Sequence, residues 1–258
     1  RVASRGLGDV YKRQVIQDSG LQVDHPEFND ANGVSRVQLI DWYAASGVTG
    51  SQSVNHNRDY DGHGTHCGGT ATGLNFGWAN NARVYMVKVG GLEGTGDSGG
   101  ISVSSCFDVI KGWHQNKPVD PKTGYKRPTI VNASWGYSGS IGSSISNIDS
   151  YVYRGANYNS STAGWTSTTT YHRDTYGFYP YYRSFSYRFP VRLASVDADV
   201  QDCIDAGVHI CIAAGNNSFK IADSTDPDYN NVIFYSGGSN DYYHLSLIHI
   251  SEPTRRYS

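Results

Sequence analysis

The sequence predicts an α/β fold: a three-layer arrangement in which a mostly parallel sheet carries helices on both faces. Two observations lead there. Short β-branched runs alternate with apolar patterns at helical spacing between Val84 and Ala213, the rhythm of strand–helix–strand units. The chemically suggestive polar residues also fall just after strand-like runs: Asp18, Ser134 and Asn216. Sheets of this kind bind ligands beyond the carboxyl ends of their strands.

Each element has its own signal. Val15-Ile16 reads as the tail of a strand ending at Asp18, and His25-Pro26-Glu27-Phe28 as a turn. Residues 29–60 are polar and loop-like. Val84 to Val89 is an unbroken apolar-rich run, a buried strand. Gly94-Thr95-Gly96-Asp97 is a turn. Val103, Cys106, Phe107, Ile110 and Trp113 recur at helical spacing. Thr129 to Ala133 is a strand. Val196, Val200, Cys203 and Ile204 mark a second amphipathic helix, with Gly207 as its C-terminal cap. Val208 to Ala213 is the last strand of the series.

Residues 138–192 break the rhythm. They are rich in Ser, Thr and Gly, then in Tyr, with nine tyrosines from Tyr151 to Tyr187. We read them as an insertion that packs its own aromatics at the surface. An aromatic rim or a docking surface is the competing use, since Tyr and Arg anchor interfaces.

Composition narrows the function classes. The 258-residue chain carries a net charge of −2, which implies no polyanionic partner such as nucleic acid. No apolar run reaches the length of about 18 residues that a membrane span needs. The cysteines, Cys67, Cys106, Cys203 and Cys211, show neither metal-ligand spacing nor a disulfide framework. They read as small buried hydrophobes, Cys211 within a buried-looking strand.

The chemistry concentrates in Asp61-Gly62-His63-Gly64-Thr65-His66-Cys67-Gly68-Gly69. Small residues let a helix sit deep in a domain with its first turn at a cleft. A histidine there can act as a general base if a carboxylate orients it. Asp18, in Val15-Ile16-Gln17-Asp18-Ser19-Gly20, is the candidate. A third segment, Ala213-Ala214-Gly215-Asn216-Asn217, follows a strand. Together the three segments resemble the subtilisin-like serine peptidases, in that family's order of Asp, His and Asn. The family's nucleophile motif, Gly-Thr-Ser-Met-Ala, does not occur in the sequence.

The resemblance implies a subtilisin-like fold and roles for particular residues. His63 to Gly73 is expected to be helical on that ground alone, because its glycines argue against it. His63 would be the base, Asp18 its orienting partner and Asn216 an oxyanion donor, with Asn217 the neighbour if the register is off by one. Ser134-Trp135-Gly136 and Gly94 to Gly96 would hold extended substrate between them. Ala213-Ala214-Gly215 would line the first specificity pocket. His66 is expected to be structural, and Cys67 a free thiol under the site. The implied activity is peptide-bond hydrolysis through an Asp-His-Ser triad, on polypeptide substrates, by an extracellular monomer. It needs no cofactor and no catalytic metal. Structural calcium fits the family, but the loop Gly73-Leu74-Asn75-Phe76-Gly77 near Glu27 looks too short for the tight site. The competing reading is a non-catalytic relative that binds polypeptide or glycan through its Tyr-rich insertion. The presence together of Asp18, His63 and Asn216 speaks against it.

The two ends of the chain read as having a common origin. Ser4 to Gln14 reads SRGLGDVYKRQ and Leu245 to Arg255 reads LSLIHISEPTR. One DNA sequence encodes the first on one strand and the second on the other. Both resemble the translated adapter of a transposase-based sequencing library. Residues 1–14 and 245–258 are therefore expected to be non-native, leaving 15–244 as a partial peptidase domain without its C-terminal part.

A first expectation follows. The 258-residue chain should hydrolyse no peptide bond and should not label with a fluorophosphonate probe. In this enzyme type, loss of the serine alone removes about 10⁶ in kcat. Stoichiometric labelling that disappears in His63→Ala would reveal an unrecognised nucleophile.

Overall fold

A computed structural model describes residues 13–90, 99–141, 148–166, 168, 171, 175–176, 187–190, 193–213, 221–222, 225–235, 242–244 and 247–248. The chain forms two units, Arg1–Trp135 with Ala198–Ala213 and Gly136–Asp197 with Ala214–Ser258.

The first unit runs β1 (Arg13–Asp18), α1 (Trp42–Ser46), α2 (His63–Thr72), β2 (Arg83–Lys88), α3 (Val103–Asn116) and β3 (Thr129–Ala133). The second unit opens with β4 (Ser138–Ile141), β5 (Ile148–Tyr153), β6 (Ala156–Asn159) and β7 (Tyr187–Pro190). The chain returns to the first unit through α4 (Ala194–Asp205) and β8 (Val208–Ile212). It then adds β9 (Ile221–Ala222), β10 (Val232–Tyr235), β11 (Tyr242–His244) and β12 (Leu247–Ile248).

The sheet of the first unit has the order β2-β1-β3-β8, and all three pairings are parallel. Alternation along the strands assigns its two faces. Ile16 pairs in register with Met86. Both join Leu21, Phe28 and Val84 in a buried cluster that Ala71 of α2 packs against. Val15 pairs with Tyr85, which points to the opposite face. There Tyr85 meets Trp113 of α3 at 4.6 Å and Trp113 meets Trp42 of α1 at 5.2 Å between ring centroids. Helices thus cover both faces, as the strand–helix alternation predicts.

α3 and α4 form where the periodicity places them. Ser102 caps α3 by accepting from Ser105 N–H. Cys203 of α4 is buried against α3, its thiol donating to Phe107 O at 3.3 Å. Gly207 follows α4 with φ 92°, the left-handed conformation that closes a helix.

Two expectations need correction. The stretch 29–60 is not all loop, because α1 lies within it. Asp41 caps α1 by accepting from Tyr43 and Ala44 N–H, and Gly47, at φ 77°, ends it. Five residues are too few for helical periodicity to show, yet Trp42 is 1% exposed and donates from Nε1 to Met86 O at 2.7 Å. Cys211 lies in a strand as expected, but it is exposed. β8 is the edge strand of the described sheet, so its burial alternates along the strand. All four cysteines are free thiols, of which Cys106 and Cys203 are buried.

In the second unit β11-β10-β5-β6 form an antiparallel sheet. The β5–β6 turn uses Arg154 at φ 50° and Gly155 at φ 80°, the twist that suits a tight hairpin. Arg154 is pinned there by Asp228, from Nε at 2.7 Å, and its N–H donates to Asn231 Oδ1 at 2.7 Å. The tyrosines described in full, Tyr151, Tyr153, Tyr158, Tyr171 and Tyr176, pack on one another as expected. Tyr176 stacks on Tyr151 at 4.2 Å, and Tyr153, Tyr158, Trp165 and Tyr171 surround Tyr176. β5 also pairs with β10, so these residues share their sheet with a segment beyond them.

The packing of α2 on β1 generates a prediction. A Cβ on Gly64 would run into the Gly20 carbonyl oxygen and come within 3.1 Å of Asp18 Cβ. Backbone cannot yield as a side chain does, so Gly64→Ala should destabilise by about 1–3 kcal/mol. Urea unfolding would measure this, and an unchanged midpoint would contradict so close an approach.

Candidate active site

β1 delivers Asp18 at its carboxyl end, on the face that α2 covers. The side chain is fully buried. Its Oδ1 accepts from Ser19 N–H at 2.7 Å and lies 2.8 Å from His63 Nδ1. His63 opens α2, and half of its side chain is exposed. The arrangement follows from sequence in steps. Residues 16 and 18 share a face, α2 packs on that face, and small residues let it come close. Gly20 has φ 138°, and a Cβ there would lie 2.5 Å from Arg58 O. Glycine is required at that position twice over, by conformation and by space.

The electrostatics suit a base. The hydrogen bond from His63 to Asp18 raises the imidazole pKa above 6.5, and burial opposes this only in part. Because Nδ1 is committed to Asp18, Nε2 is the nitrogen left for proton transfer.

Cys67, one helical turn on, lies against the ring. Its Sγ is 3.7 Å from Nδ1 and 3.8 Å from Nε2. Near-equal distances place the sulfur on neither nitrogen's lone-pair axis, so the pair is not arranged for proton transfer. Burial raises the thiol pKa, and the Asp18 carboxylate adds to this against an opposing hydrogen bond with Ser134. A protonated thiol is a poor nucleophile, which sets aside a Cys-His reading. A carboxylate oxygen of Asp18, a ring nitrogen of His63 and Cys67 Sγ lie within 4.8 Å of one another, the one His/Cys/Asp/Glu group among the described residues that could hold a metal ion. In the structure the Asp18–His63 hydrogen bond uses that geometry.

Ser134 follows β3, and its Oγ accepts from Asn132 Nδ2 at 2.8 Å. Trp135 turns its indole onto the sheet, donating to Gln17 O at 2.9 Å and packing at 6.5 Å from Phe107. Its side chain thus braces the sheet. Gly136, next in sequence, belongs to the second unit. Ala213 is exposed beside β3, its N–H donating to Ala133 O at 3.0 Å. Gly94, Gly96, Ala214, Gly215, Asn216 and Asn217 lie outside the described residues. His66 is exposed on α2.

Glu27 bears on calcium. Its Oε2 accepts from Asn75 N–H at 2.9 Å and its Oε1 from Asn75 Nδ2 at 2.6 Å. Hydrogen bonds with Asn75 lower its pKa. Both oxygens are therefore committed to closing the short loop, and Glu27 is a poor fit to a cation site there.

Sequence reasoning missed Asp59. Its carboxylate accepts from Ser19 Oγ, Asp61 N–H, Gly62 N–H, Thr65 N–H and Thr65 Oγ1. An acid four residues before a helix reads as a routine capping residue, and its link to Ser19 is not local. An open cavity of about 450 Å³ adjoins it, bordered by Leu21, Val23, Asp24, Asn55 and Thr65.

Residues 15–242 match the family described as Subtilase. The chain belongs to the subtilase family. Among curated relatives it is 38% identical over 46% of its length to a cuticle-degrading serine protease of Orbilia oligospora, covering 26% of that protein. It is 30% identical to proteinase R of Parengyodontium album, over 52% of this chain and 29% of that one. It is 28% identical to a subtilisin-like serine protease of Cochliobolus lunatus, over 81% of this chain and 28% of that one. The alignments thus span between a quarter and a third of these relatives' lengths. Membership agrees with the parallel α/β sheet. No helix among the described residues is long and apolar enough to cross a membrane.

The raised pKa of His63 makes a pH prediction. NMR of the imidazole should give a midpoint above 6.5 that falls in Asp18→Asn. The sign follows from linkage. A folded pKa above the unfolded value stabilises fully below about 6.5, and that contribution is lost as pH rises through the folded pKa. A wild-type midpoint at or below 6.5 would contradict the Asp18–His63 pairing.

Proposed function

We propose that this chain is part of the catalytic domain of a secreted serine endopeptidase, and that Asp18 and His63 are two members of its triad. The observation that carries the reading is the 2.8 Å contact between His63 Nδ1 and a fully buried Asp18 carboxylate, within a subtilase match. The names of the relatives, a cuticle-degrading serine protease and a subtilisin-like serine protease among them, support the reaction class, and cuticle degradation supports an extracellular setting.

The steps follow from charge and proton placement. A serine Oγ attacks the scissile carbonyl carbon while His63 Nε2 takes its proton. Asp18 holds the ring by Nδ1 and stabilises the imidazolium. The carbonyl oxygen becomes an oxyanion, which Asn216 meets with its side-chain amide. The C–N bond breaks as His63 returns the proton to the leaving amine. Water then repeats the sequence on the acyl-enzyme and releases the serine. Extended substrate lies between Gly94–Gly96 and Ser134–Gly136, paired by main-chain hydrogen bonds. Ala213, Ala214 and Gly215 line the first pocket. The partner is a polypeptide substrate, the enzyme works as a monomer, and catalysis needs no cofactor. The nucleophile belongs to a part of the whole protein not contained in this sequence.

In the whole protein, Asp18→Asn should lower kcat by about 10⁴, with KM little changed. Near-normal turnover would remove Asp18 from the triad. Asn216→Ala should lower kcat by about 10²–10³, and Asn217→Ala by less. The opposite ranking in steady-state kinetics would shift the oxyanion donor by one residue.

A further inference from the structure

The Asp18–His63 contact needs two separate segments held in register, the exit of β1 and the first turn of α2. The helix does not fix itself, because its N-cap is Gly62, at φ 85°, with no side-chain hydrogen bond. Its first N–H groups are satisfied from elsewhere. Gly64 N–H donates to Ser19 Oγ at 2.8 Å, and Thr65 N–H to Asp59 Oδ2 at 2.8 Å. The same Asp59 carboxylate receives Gly62 N–H at 2.8 Å, Thr65 Oγ1 at 2.5 Å and Ser19 Oγ at 3.0 Å. Thr65 Oγ1 in turn accepts from Gln22 N–H at 2.9 Å.

Ser19 links this carboxylate to the triad aspartate. Its hydroxyl donates to Asp59 and accepts from Gly64 N–H. Its own N–H donates to Asp18 Oδ1 at 2.7 Å, the oxygen that faces His63. Ser19 is 2% exposed, so water does not readily replace these bonds.

We propose that Asp59, acting through Ser19 and the first turn of α2, is the positioning residue that sets the Asp18–His63 distance. It touches neither the imidazole nor the substrate. It locks β1 and α2 together at the one point where a small slip would part base and carboxylate. Burial works against its ionisation and is the largest single influence. The hydrogen bonds from Thr65, Gly62 and Ser19 together outweigh it and hold the pKa below the usual aspartate value. A carboxylate bound by this many donors is a strong local constraint. For catalysis the inference rests on the proposed triad; the geometric brace does not.

The test uses the full 258-residue chain. At acid pH the protonated His63 should show a far-downfield Nδ1 proton resonance from its bond to Asp18. Asp59→Ala and Ser19→Ala should each weaken or abolish it and bring the His63 titration midpoint toward 6.5. Ser19→Ala changes no charge, so its effect reports position rather than lost Coulomb attraction. It is also the milder variant should Asp59→Ala fail to fold. In the whole protein both substitutions should lower kcat about 10²-fold at unchanged KM. A folded Ser19→Ala chain with the resonance and midpoint of wild type would overturn the proposal while leaving the triad reading intact. A wild-type chain with no resonance that depends on Asp18 would overturn both.

Discussion

The site depends on how closely the first turn of α2 lies on the carboxyl end of β1. That approach is a backbone-to-backbone contact, Gly64 against Gly20, with Asp18 Cβ beside it. It places a helix-borne imidazole within hydrogen-bond reach of a strand-borne carboxylate that is fully buried. Buried carboxylates are tolerated when hydrogen-bonded, and here both bonds, from Ser19 and His63, fall on Oδ1, while Oδ2 is buried without a hydrogen-bond partner among the described residues. The glycines of α2, which weaken it as a helix, are what permit the contact. Local propensity and site geometry are in conflict, and the surrounding structure decides for geometry.

That conflict shows what could be read in advance. The four strands of the first sheet declare themselves as apolar runs and the two longer helices through periodicity, because their apolar faces are buried by regular neighbours; the strands of the second unit gave no such signal. α2 does not, and its helicity was legible only from the motif around His63. α1 was invisible: Trp42 is a core residue, but a five-residue helix held by Asp41 and Gly47 has no period to detect. Cys211 lies in its expected strand but is exposed, because apolar neighbours mark a strand without saying whether it lies at a sheet edge. Asp59 gave no signal beyond its closeness to His63, since what matters is a bond to Ser19, 40 residues away. The pairing of Asp18 with His63 was legible because the motifs around them resemble those of a family in which the two residues meet.

The tyrosines of the second unit illustrate a different limit. Composition implied aromatics that could face a partner. In the structure Tyr151 and Tyr176 are buried and stacked on each other, and Trp165 and Tyr171 close around them. Aromatic faces committed to one another form a small core. The pairing of β5 with β10 could not be read at all, because register between distant strands leaves no local trace.

The order of strands in the first sheet has a consequence for synthesis. β1 comes first in the chain among the described strands but sits inside the sheet, between β2 and β3. It gains its second neighbour only when Thr129–Ala133 has been made. At about 5–20 residues per second, the ribosome needs several seconds or more to travel from Asp18 to that strand. Until then β1 has one open edge along Arg13–Ile16, while its last residue is already paired with Lys88 of β2. The two ends of β1 are thus completed at different times: the end that carries Asp18 has its neighbours once residue 88 is made, and the opposite end waits for β3.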